Sequence, residues 1–153
     1  MRTFSKAYGM AGLRVGYAYG NAEIIRSFEK IRNHFGMNRV SQAAALAALK
    51  DQSWIDEVVA KVAKGRAMLA EIATAHALVP LPSATNFVTM DCGADANFAK
   101  AVLNALEEQG VFIRMPFAEP GNRCIRITVG TDEDIACFKA ALPRALEAAR
   151  GIG

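Results

Sequence analysis

The sequence predicts an α/β first half followed by a small α+β unit. Three patterns carry this prediction: large apolar residues at alternate positions from 13 to 19, helical apolar spacing between 21 and 77, and alternating strand and helix signals from residue 85 onwards. Pro80 and Pro82 end the helical pattern of the first half. We therefore place a domain boundary near Ala77, which divides the chain into residues 1–77 and 78–153.

The composition is that of a globular protein and excludes several functional classes. Of the 153 residues, 52% are apolar and 22% are charged, so neither disorder nor a fibrous repeat is expected. The net charge of +3 includes no long basic run, and the longest apolar run, at 43–49, is far too short to span a bilayer. We therefore expect neither a nucleic acid nor a membrane as a partner.

The cysteines and the common motifs exclude further classes. Cys92, Cys124 and Cys137 form no C-x-x-C pair and leave an odd thiol, which argues against a disulfide framework or a metal centre. The sequence contains no P-loop, dinucleotide-binding glycine fingerprint, serine-hydrolase elbow or zinc-protease motif. This cysteine usage favours a reducing, cytoplasmic location.

The elements of the first half have local signals. Residues 2–5 look extended, and the period of two at 13–19 predicts a strand. Asn21 is a favourable N-cap for the helix that follows it, and an Ala-rich stretch at 41–49 predicts a second helix.

A long amphipathic helix closes the first half. Ser53 and Asp56 resemble a capping box at its head. Its apolar stripe comprises Ile55, Val58, Val59, Val62, Leu69 and Ile72.

The second half alternates between strands and helices. The predicted order is strand (85–90), helix (95–109), strand (111–114), turn (115–122), strand (123–129) and a final helix. Gly110 ends the first of these helices. Thr131, with Asp134 three residues later, forms a capping box for the final helix, which Pro143 should kink or interrupt. We expect the last two strands to form an antiparallel hairpin.

Polar residues near the N-terminus combine the side chains needed to bind a phosphorylated carbonyl compound. Lys6 follows the first extended segment among small residues and glycines, so we expect it in a confined pocket where its neutral amine can act as a nucleophile. The hydroxyls of Thr3 and Ser5 lie on one side of an extended backbone. Arg14 lies in a predicted strand that is otherwise apolar, where a guanidinium needs a carboxylate or phosphate partner.

A family resemblance is carried by residues 3–16, which read T-F-S-K-A-Y-G-M-A-G-L-R-V-G. This run resembles the pyridoxal-phosphate attachment site of fold-type I aminotransferases of class I/II, and is most similar to that of histidinol-phosphate aminotransferases. The likeness continues at 29–33, 82–88, 110–114 and 126–131, and so covers essentially the whole chain. It implies the C-terminal part of a fold-type I transferase large domain, including the long interdomain helix, followed by a small α+β domain.

The resemblance implies roles for the N-terminal polar residues. Lys6 would form the Schiff base with pyridoxal 5'-phosphate and would act as the base that moves the proton from the substrate Cα. Arg14, with Ser5 and Thr3, would hold the cofactor phosphate.

The resemblance also implies substrate-binding residues in the second half. Arg126 matches the arginine that clamps the anionic group of the substrate, a carboxylate or a phosphate, and Arg114 matches a second arginine that helps with the phosphate. Asn86 is either a substrate-pocket residue or a turn asparagine. The implied activity is transamination between a small-molecule amino donor, histidinol phosphate or an aromatic or related amino acid, and a 2-oxo acid acceptor in amino-acid biosynthesis.

Family members are more than twice as long as this chain and are dimeric. We therefore expect Met1 to be a fragment boundary or gene truncation, the isolated chain to be inactive, and the intact enzyme to be a homodimer. The missing upstream half would include the aspartate that pairs with the pyridine nitrogen of the cofactor.

Two alternatives to a transaminase are compatible with the same sequence. The first is a lyase on the same scaffold, of the threonine-phosphate decarboxylase type, which shares the lysine and the arginines. The second is a non-catalytic remnant that folds partly or pairs with another chain through exposed apolar surface.

Overall fold

The computed structural model describes residues 1–151, and its contacts divide the chain into two compact units. The first unit is Met1–Ala60, and the second begins at Lys61. The longest helix runs across this division. The assignment of residues 1–77 and 78–153 to a large and a small domain stays a prediction.

The first unit pairs two short strands and adds helices. Its elements are β1 (Arg2–Thr3), β2 (Gly16–Tyr17), α1 (Ala22–Glu29), α2 (Arg39–Lys50) and the first turns of α3 (Gln52–Ala75). Strands β1 and β2 are antiparallel, with Thr3 opposite Gly16. Helix α1 begins where predicted, because the Asn21 side chain accepts a hydrogen bond from the Glu23 N–H.

The strand predicted at 13–19 is wrong over most of its length. Only Gly16–Tyr17 pairs with β1, whereas Leu13 ends a short 3₁₀ turn and Arg14 has a left-handed backbone with φ of +50°. The Arg14 side chain closes this turn, because its Nη1 donates a 2.6 Å hydrogen bond to the Ala11 carbonyl. Arg14 therefore lies in a turn and not in a strand.

Two further differences concern the start of α3 and the burial of its stripe. The cap of α3 is Asp51, which accepts hydrogen bonds from the Trp54 N–H at 3.1 Å and from the Ser53 hydroxyl at 3.0 Å. The capping box predicted at Ser53 and Asp56 is therefore wrong. Leu69 and Ile72 of the stripe are buried, whereas Val59 is exposed.

The second unit packs helices on one face of a small sheet. It contains β3 (Val79–Pro80), β4 (Phe87–Asp91), α4 (Ala96–Glu107), β5 (Cys124–Thr128), α5 (Asp132–Arg150) and the rest of α3. The antiparallel sheet has the order β3-β4-β5. Val88 and Met90 of β4 lie opposite Ile127 and Ile125 of β5, and all four are buried in the core of this unit.

The helix starts of the second unit are predicted correctly. The Asp95 side chain accepts a hydrogen bond from the Phe98 N–H and caps α4. Thr131 and Asp134 form the reciprocal capping box of α5. No helix among residues 1–151 has the length and apolar character needed to cross a membrane.

Two expectations for the second unit are corrected. Residues 111–114 form no strand, and a single bridge joins Arg114 to Arg126. The reason is that the Val111 N–H donates to the Leu106 carbonyl at 2.9 Å and so closes α4, which leaves it unavailable for a ladder. Helix α5 also continues across Pro143 without interruption: Leu142 before it and Ala145 two residues after it are both held in the core.

Candidate functional site

Three of the predicted N-terminal site residues meet in the first unit. Thr3 Oγ1 donates a 3.0 Å hydrogen bond to Ser5 Oγ, and Arg14 Nη1 lies 3.5 Å from the same Ser5 oxygen as a donor. The Ser5 N–H in turn donates to Thr3 Oγ1 at 3.1 Å. We call Thr3, Ser5 and Arg14 the hydroxyl–arginine cluster.

The backbone of the first unit holds this cluster in place. Thr3 is fixed by its pairing with Gly16, where a Cβ atom would lie 2.7 Å from the Arg2 carbonyl oxygen, so only glycine allows the close approach of β1 and β2. On the Arg14 side, the buried Ser41 of α2 donates a 2.6 Å hydrogen bond to the Leu13 carbonyl. Hydrogen bonds therefore hold the backbone at Thr3 and next to Arg14.

Lys6 lies directly beside the cluster in sequence, in a tight turn. Its carbonyl accepts a 2.8 Å hydrogen bond from the Gly9 N–H, and Gly9 has a φ of +68°, which glycine tolerates. The Lys6 residue is exposed, so the confined pocket expected from the sequence is not formed by the described residues. The reason is that the neighbouring glycines give no cover, while Phe4 is turned into the core and packs against Tyr8.

The charge of the cluster is not neutralised within the described chain. Among residues 1–151, no carboxylate lies within ion-pair distance of Arg14. The cluster therefore presents one uncompensated guanidinium and two hydroxyls, a donor set that suits a phosphate.

The second unit brings the two predicted substrate arginines together. The Arg114 N–H donates to the Arg126 carbonyl at 3.1 Å, and the Arg126 N–H donates to the Arg114 carbonyl at 2.6 Å. Residues that exchange both hydrogen bonds in this way present their side chains on the same face. We call Arg114 and Arg126 the arginine pair.

Each guanidinium of the arginine pair lies near an aromatic ring. The Arg126 guanidinium carbon is 4.8 Å from the centroid of Phe87, and that of Arg114 is 6.0 Å from the centroid of Phe112. Within residues 1–151, neither arginine has a carboxylate partner. Two like charges on one face repel each other, so an anion bound between them would lower the free energy of the pair.

The main chain of Asn86 has a structural role. Its carbonyl accepts a 2.9 Å hydrogen bond from the Val129 N–H and so holds the chain that leaves β5. The preceding loop is fixed by Arg66, whose Nη1 donates to the Thr85 carbonyl at 2.9 Å. A contact between the Asn86 side chain and a substrate stays a prediction.

The shifted pKa values belong to structural groups outside both sites. A hydrogen bond from the Gly93 N–H, aided by the nearby Arg123 guanidinium, lowers the pKa of Asp91. Burial, with a contribution from the neighbouring Cys124, raises the pKa of the Cys92 thiol to about 11. In the part of the chain that the structure describes, no group of three His, Cys, Asp or Glu residues could hold a metal ion.

Three residues that support the two sites were not predicted from the sequence. They are Ser41, which is bonded to the residue before Arg14, and the two phenylalanines near the arginine pair. In the sequence, Ser41 looks like any serine in the first turn of a helix. Its hydrogen bond to Leu13 joins residues 28 positions apart, so no local pattern indicates it. Phe112 could have been found, since it precedes Arg114 by two positions in an extended segment. The contact of Phe87 with Arg126 depends on the register of β4 and β5, which the sequence does not reveal.

Comparison with known families gives a match over most of the chain. The model of the family described as aminotransferase class I and II matches residues 1–142. The histidinol-phosphate aminotransferase of Bacillus velezensis is 44% identical over 133 residues, which cover 87% of this chain and 36% of that protein. Histidinol-phosphate aminotransferase 1 of Cupriavidus pinatubonensis is 42% identical over 147 residues, which cover 95% of this chain and 39% of that protein.

Solved structures extend the likeness to the fold. The histidinol-phosphate aminotransferase of Sinorhizobium meliloti, in complex with pyridoxal-5'-phosphate, superposes with a TM-score of 0.91 at 49% identity and covers 99% of this chain. A putative histidinol-phosphate aminotransferase of Erwinia carotovora atroseptica gives a TM-score of 0.84 at 27% identity over 93% of this chain. This chain covers 41% and 40% of those two chains, respectively. The predicted α/β fold class is confirmed.

Proposed function

The chain belongs to the class I and II aminotransferase family, and from that premise we propose that it contributes the lysine and the anion-binding residues of a pyridoxal-phosphate-dependent transaminase. The observation that carries the proposal is the hydroxyl–arginine cluster, to which Lys6 is adjacent in the sequence. The Sinorhizobium meliloti relative, which is in complex with pyridoxal-5'-phosphate, supports that cofactor for this chain. Because the chain spans only about two-fifths of these relatives, we propose the activity for the intact enzyme.

The donor set of the cluster fits the cofactor phosphate. Arg14 supplies a positive charge that no described carboxylate neutralises. Ser5 keeps its hydroxyl hydrogen for an anion because its oxygen accepts from Thr3 and Arg14, and Thr3 thereby orients the Ser5 hydroxyl. When bound, pyridoxal phosphate supplies an aldehyde that captures an amine and a ring that delocalises negative charge from the substrate Cα. The role of Lys6 is to hold the cofactor covalently and then, once released, to remove the proton from the substrate Cα.

The arginine pair is the proposed site for the anionic groups of the substrate. Arg126, half-buried in the middle of β5, would bind a carboxylate or phosphate through its N–H groups, and the exposed Arg114 would add a second charge on the same face. The names of the relatives support histidinol phosphate as the amino donor, with a 2-oxo acid as the acceptor. Asn86 is a further candidate for contact with the substrate.

Two properties of the intact enzyme complete the proposal. We propose that it acts as a homodimer, since unit 1 exposes large apolar side chains that an interface can cover. The exposed members include Ile24, Phe28, Ile31, Phe35 and Val40. The three free thiols support a reducing compartment, the cytoplasm, as its location.

A chimera tests the proposed activity. Residues 1–151 of this chain would replace the matching segment of the Sinorhizobium meliloti enzyme, and the products formed from histidinol phosphate and a 2-oxo acid would be measured. We expect amino transfer that is lost on Lys6→Ala and retained on Lys139→Ala, a matched change of an exposed lysine in α5.

Two results of this assay would contradict the proposal. Release of carbon dioxide from threonine phosphate in place of amino transfer would favour the lyase. A folded, dimeric chimera without either activity, or one whose activity survives Lys6→Ala, would show that the site assignment is wrong.

A further inference from the structure

Both arginines of the arginine pair rest against the face of a phenylalanine ring. The separations are 4.8 Å for Arg126 and Phe87 and 6.0 Å for Arg114 and Phe112. A surface arginine commonly takes a carboxylate as its partner, but no carboxylate is within ion-pair distance of either one in residues 1–151. In residues 1–151, each of these guanidinium groups therefore has an aromatic ring, and not a carboxylate, as its neighbour.

An aromatic contact leaves the hydrogen-bonding edge of a guanidinium free. A phenylalanine ring carries no oxygen or nitrogen acceptor, so contact with it leaves the five donors of the guanidinium available for an anion. A carboxylate partner would occupy two of those donors and cancel the charge. A guanidinium held by a ring is thus oriented and still able to bind an anion.

The Phe87 ring is carried by backbone that is fixed from several sides. The Phe87 carbonyl accepts a 2.6 Å hydrogen bond from Ser83 Oγ, and the Phe87 N–H donates to Thr85 Oγ1 at 3.3 Å. Arg66 adds a 2.9 Å hydrogen bond to the Thr85 carbonyl. The backbone that carries the ring is therefore held in place.

We propose that Phe87 is a positioning residue that orients the Arg126 guanidinium for anion binding, with Phe112 a weaker counterpart for Arg114. This inference rests on the proposed function, in which the arginine pair binds the anionic group of the substrate. We expect the stronger effect from Phe87 because it is half-buried and close to its arginine, whereas Phe112 is 74% exposed and farther from its own. Stacking is stronger where the pair is shielded from water.

The test uses the 153-residue chain with nitrogen-15 labelling and inorganic phosphate as the probe. The side-chain Nε–H signal of Arg126, assigned by its loss in Arg126→Lys, reports binding at this site separately from binding at Arg14. Phe87→Leu removes the ring and Phe87→Tyr keeps it. Phe117→Leu, at a phenylalanine that is 99% exposed and belongs to neither site, is the matched control. If Phe87→Leu does not fold, as judged by the backbone amide spectrum, Phe87→Met serves as the second ring-free variant.

We expect two changes in the ring-free Phe87 variant. The side-chain proton signals of Arg126 should lose the upfield shift caused by the ring, and phosphate binding followed at Arg126 should weaken about fivefold. Phe87→Tyr should keep both, and Phe117→Leu should leave them unchanged. Phe112→Leu, which tests the weaker counterpart, should weaken binding less than about twofold.

The possible failures are distinguishable. Unchanged phosphate affinity in the folded ring-free variant, while the unsubstituted chain binds, would overturn the positioning role and leave the proposed function intact. An Arg126 signal that does not respond to phosphate in the unsubstituted chain would contradict the anion-binding role of the pair, and the inference would fall with it.

Discussion

The hydroxyl of Ser41 donates a 2.6 Å hydrogen bond to the main-chain carbonyl of Leu13, which lies 28 residues earlier in the chain. Ser41 is the one buried polar residue among those that the structure describes. The bond joins α2 to the turn that carries Arg14, so the position of the hydroxyl–arginine cluster depends on a residue outside it.

Removing this hydroxyl should loosen the turn around Arg14. Ser41→Ala leaves the partly buried carbonyl of Leu13 without its partner, and we expect it to lower the free energy of unfolding of the first unit by about 1–2 kcal/mol. Amide hydrogen exchange should accelerate at residues 13–15. The control is Ser27→Ala, which removes an exposed hydroxyl bonded to the Glu23 carbonyl and should change stability by less than about 0.5 kcal/mol. Equal effects of the two substitutions would count against the role of Ser41.

A close contact of α3 explains the glycine at position 65. A Cβ atom there would overlap Cγ1 of Val129 and lie 3.3 Å from Cδ1 of Ile135. Although alanine favours helix, we expect Gly65→Ala to destabilise the second unit by about 1–3 kcal/mol in urea unfolding, because a packed core does not yield easily. The double variant with Val129→Ala should recover part of the loss. A Gly65→Ala protein as stable as the parent would show that the contact is not tight.

The three cysteines should differ sharply in reactivity. Cys92 and Cys124 are buried, whereas Cys137 is exposed. Because burial and the neighbouring Cys124 raise the pKa of Cys92 to about 11, its thiol stays protonated at neutral pH. Iodoacetamide at pH 8 should therefore modify one thiol per folded chain rapidly, and Cys137→Ser should remove that rapid phase. Rapid modification of two thiols in the folded chain would contradict the burial of Cys92 and Cys124.

Asp91 should contribute to the acid sensitivity of the second unit. The Gly93 N–H, with help from Arg123, lowers the pKa of Asp91 below its ordinary value of 3.8. The stabilisation is therefore complete above pH 3.8 and is lost as the pH falls through the lower pKa of the folded state. In urea titrations from pH 6 to pH 2, Asp91→Asn should be less stable near neutral pH and should lose less stability in acid.

The sequence predicts well those features that depend on a few neighbouring residues. The caps predicted at Asn21 and Thr131, and the helix start predicted at Asp95, are correct because each depends on a local hydrogen bond of a side chain to backbone two or three residues away. The closeness of Thr3 and Ser5 is also local, but it comes from a bend and not from the extended segment predicted at 2–5: the chain bends after Thr3, and the Ser5 N–H donates to Thr3 Oγ1 two residues earlier.

Features that depend on competing or distant contacts are not predicted. Arg14 fails as a strand residue because its own side chain closes a turn on Ala11. Arg114 belongs to no strand because the Val111 N–H is used to end α4. Lys6 is exposed because no described residue packs over it. Such packing depends on residues distant in the sequence, which local spacing does not predict.

The most direct test of the central claim is reductive labelling of the 153-residue chain with pyridoxal phosphate and cyanoborohydride, followed by peptide mapping. If Arg14, Ser5 and Thr3 hold the cofactor phosphate next to Lys6, label should concentrate on Lys6, inorganic phosphate should compete, and pyridoxal without its phosphate should label Lys6 about tenfold less. Arg14→Gln should abolish this preference for the phosphorylated reagent. Label spread evenly over the exposed lysines, or a preference that survives Arg14→Gln, would contradict the account.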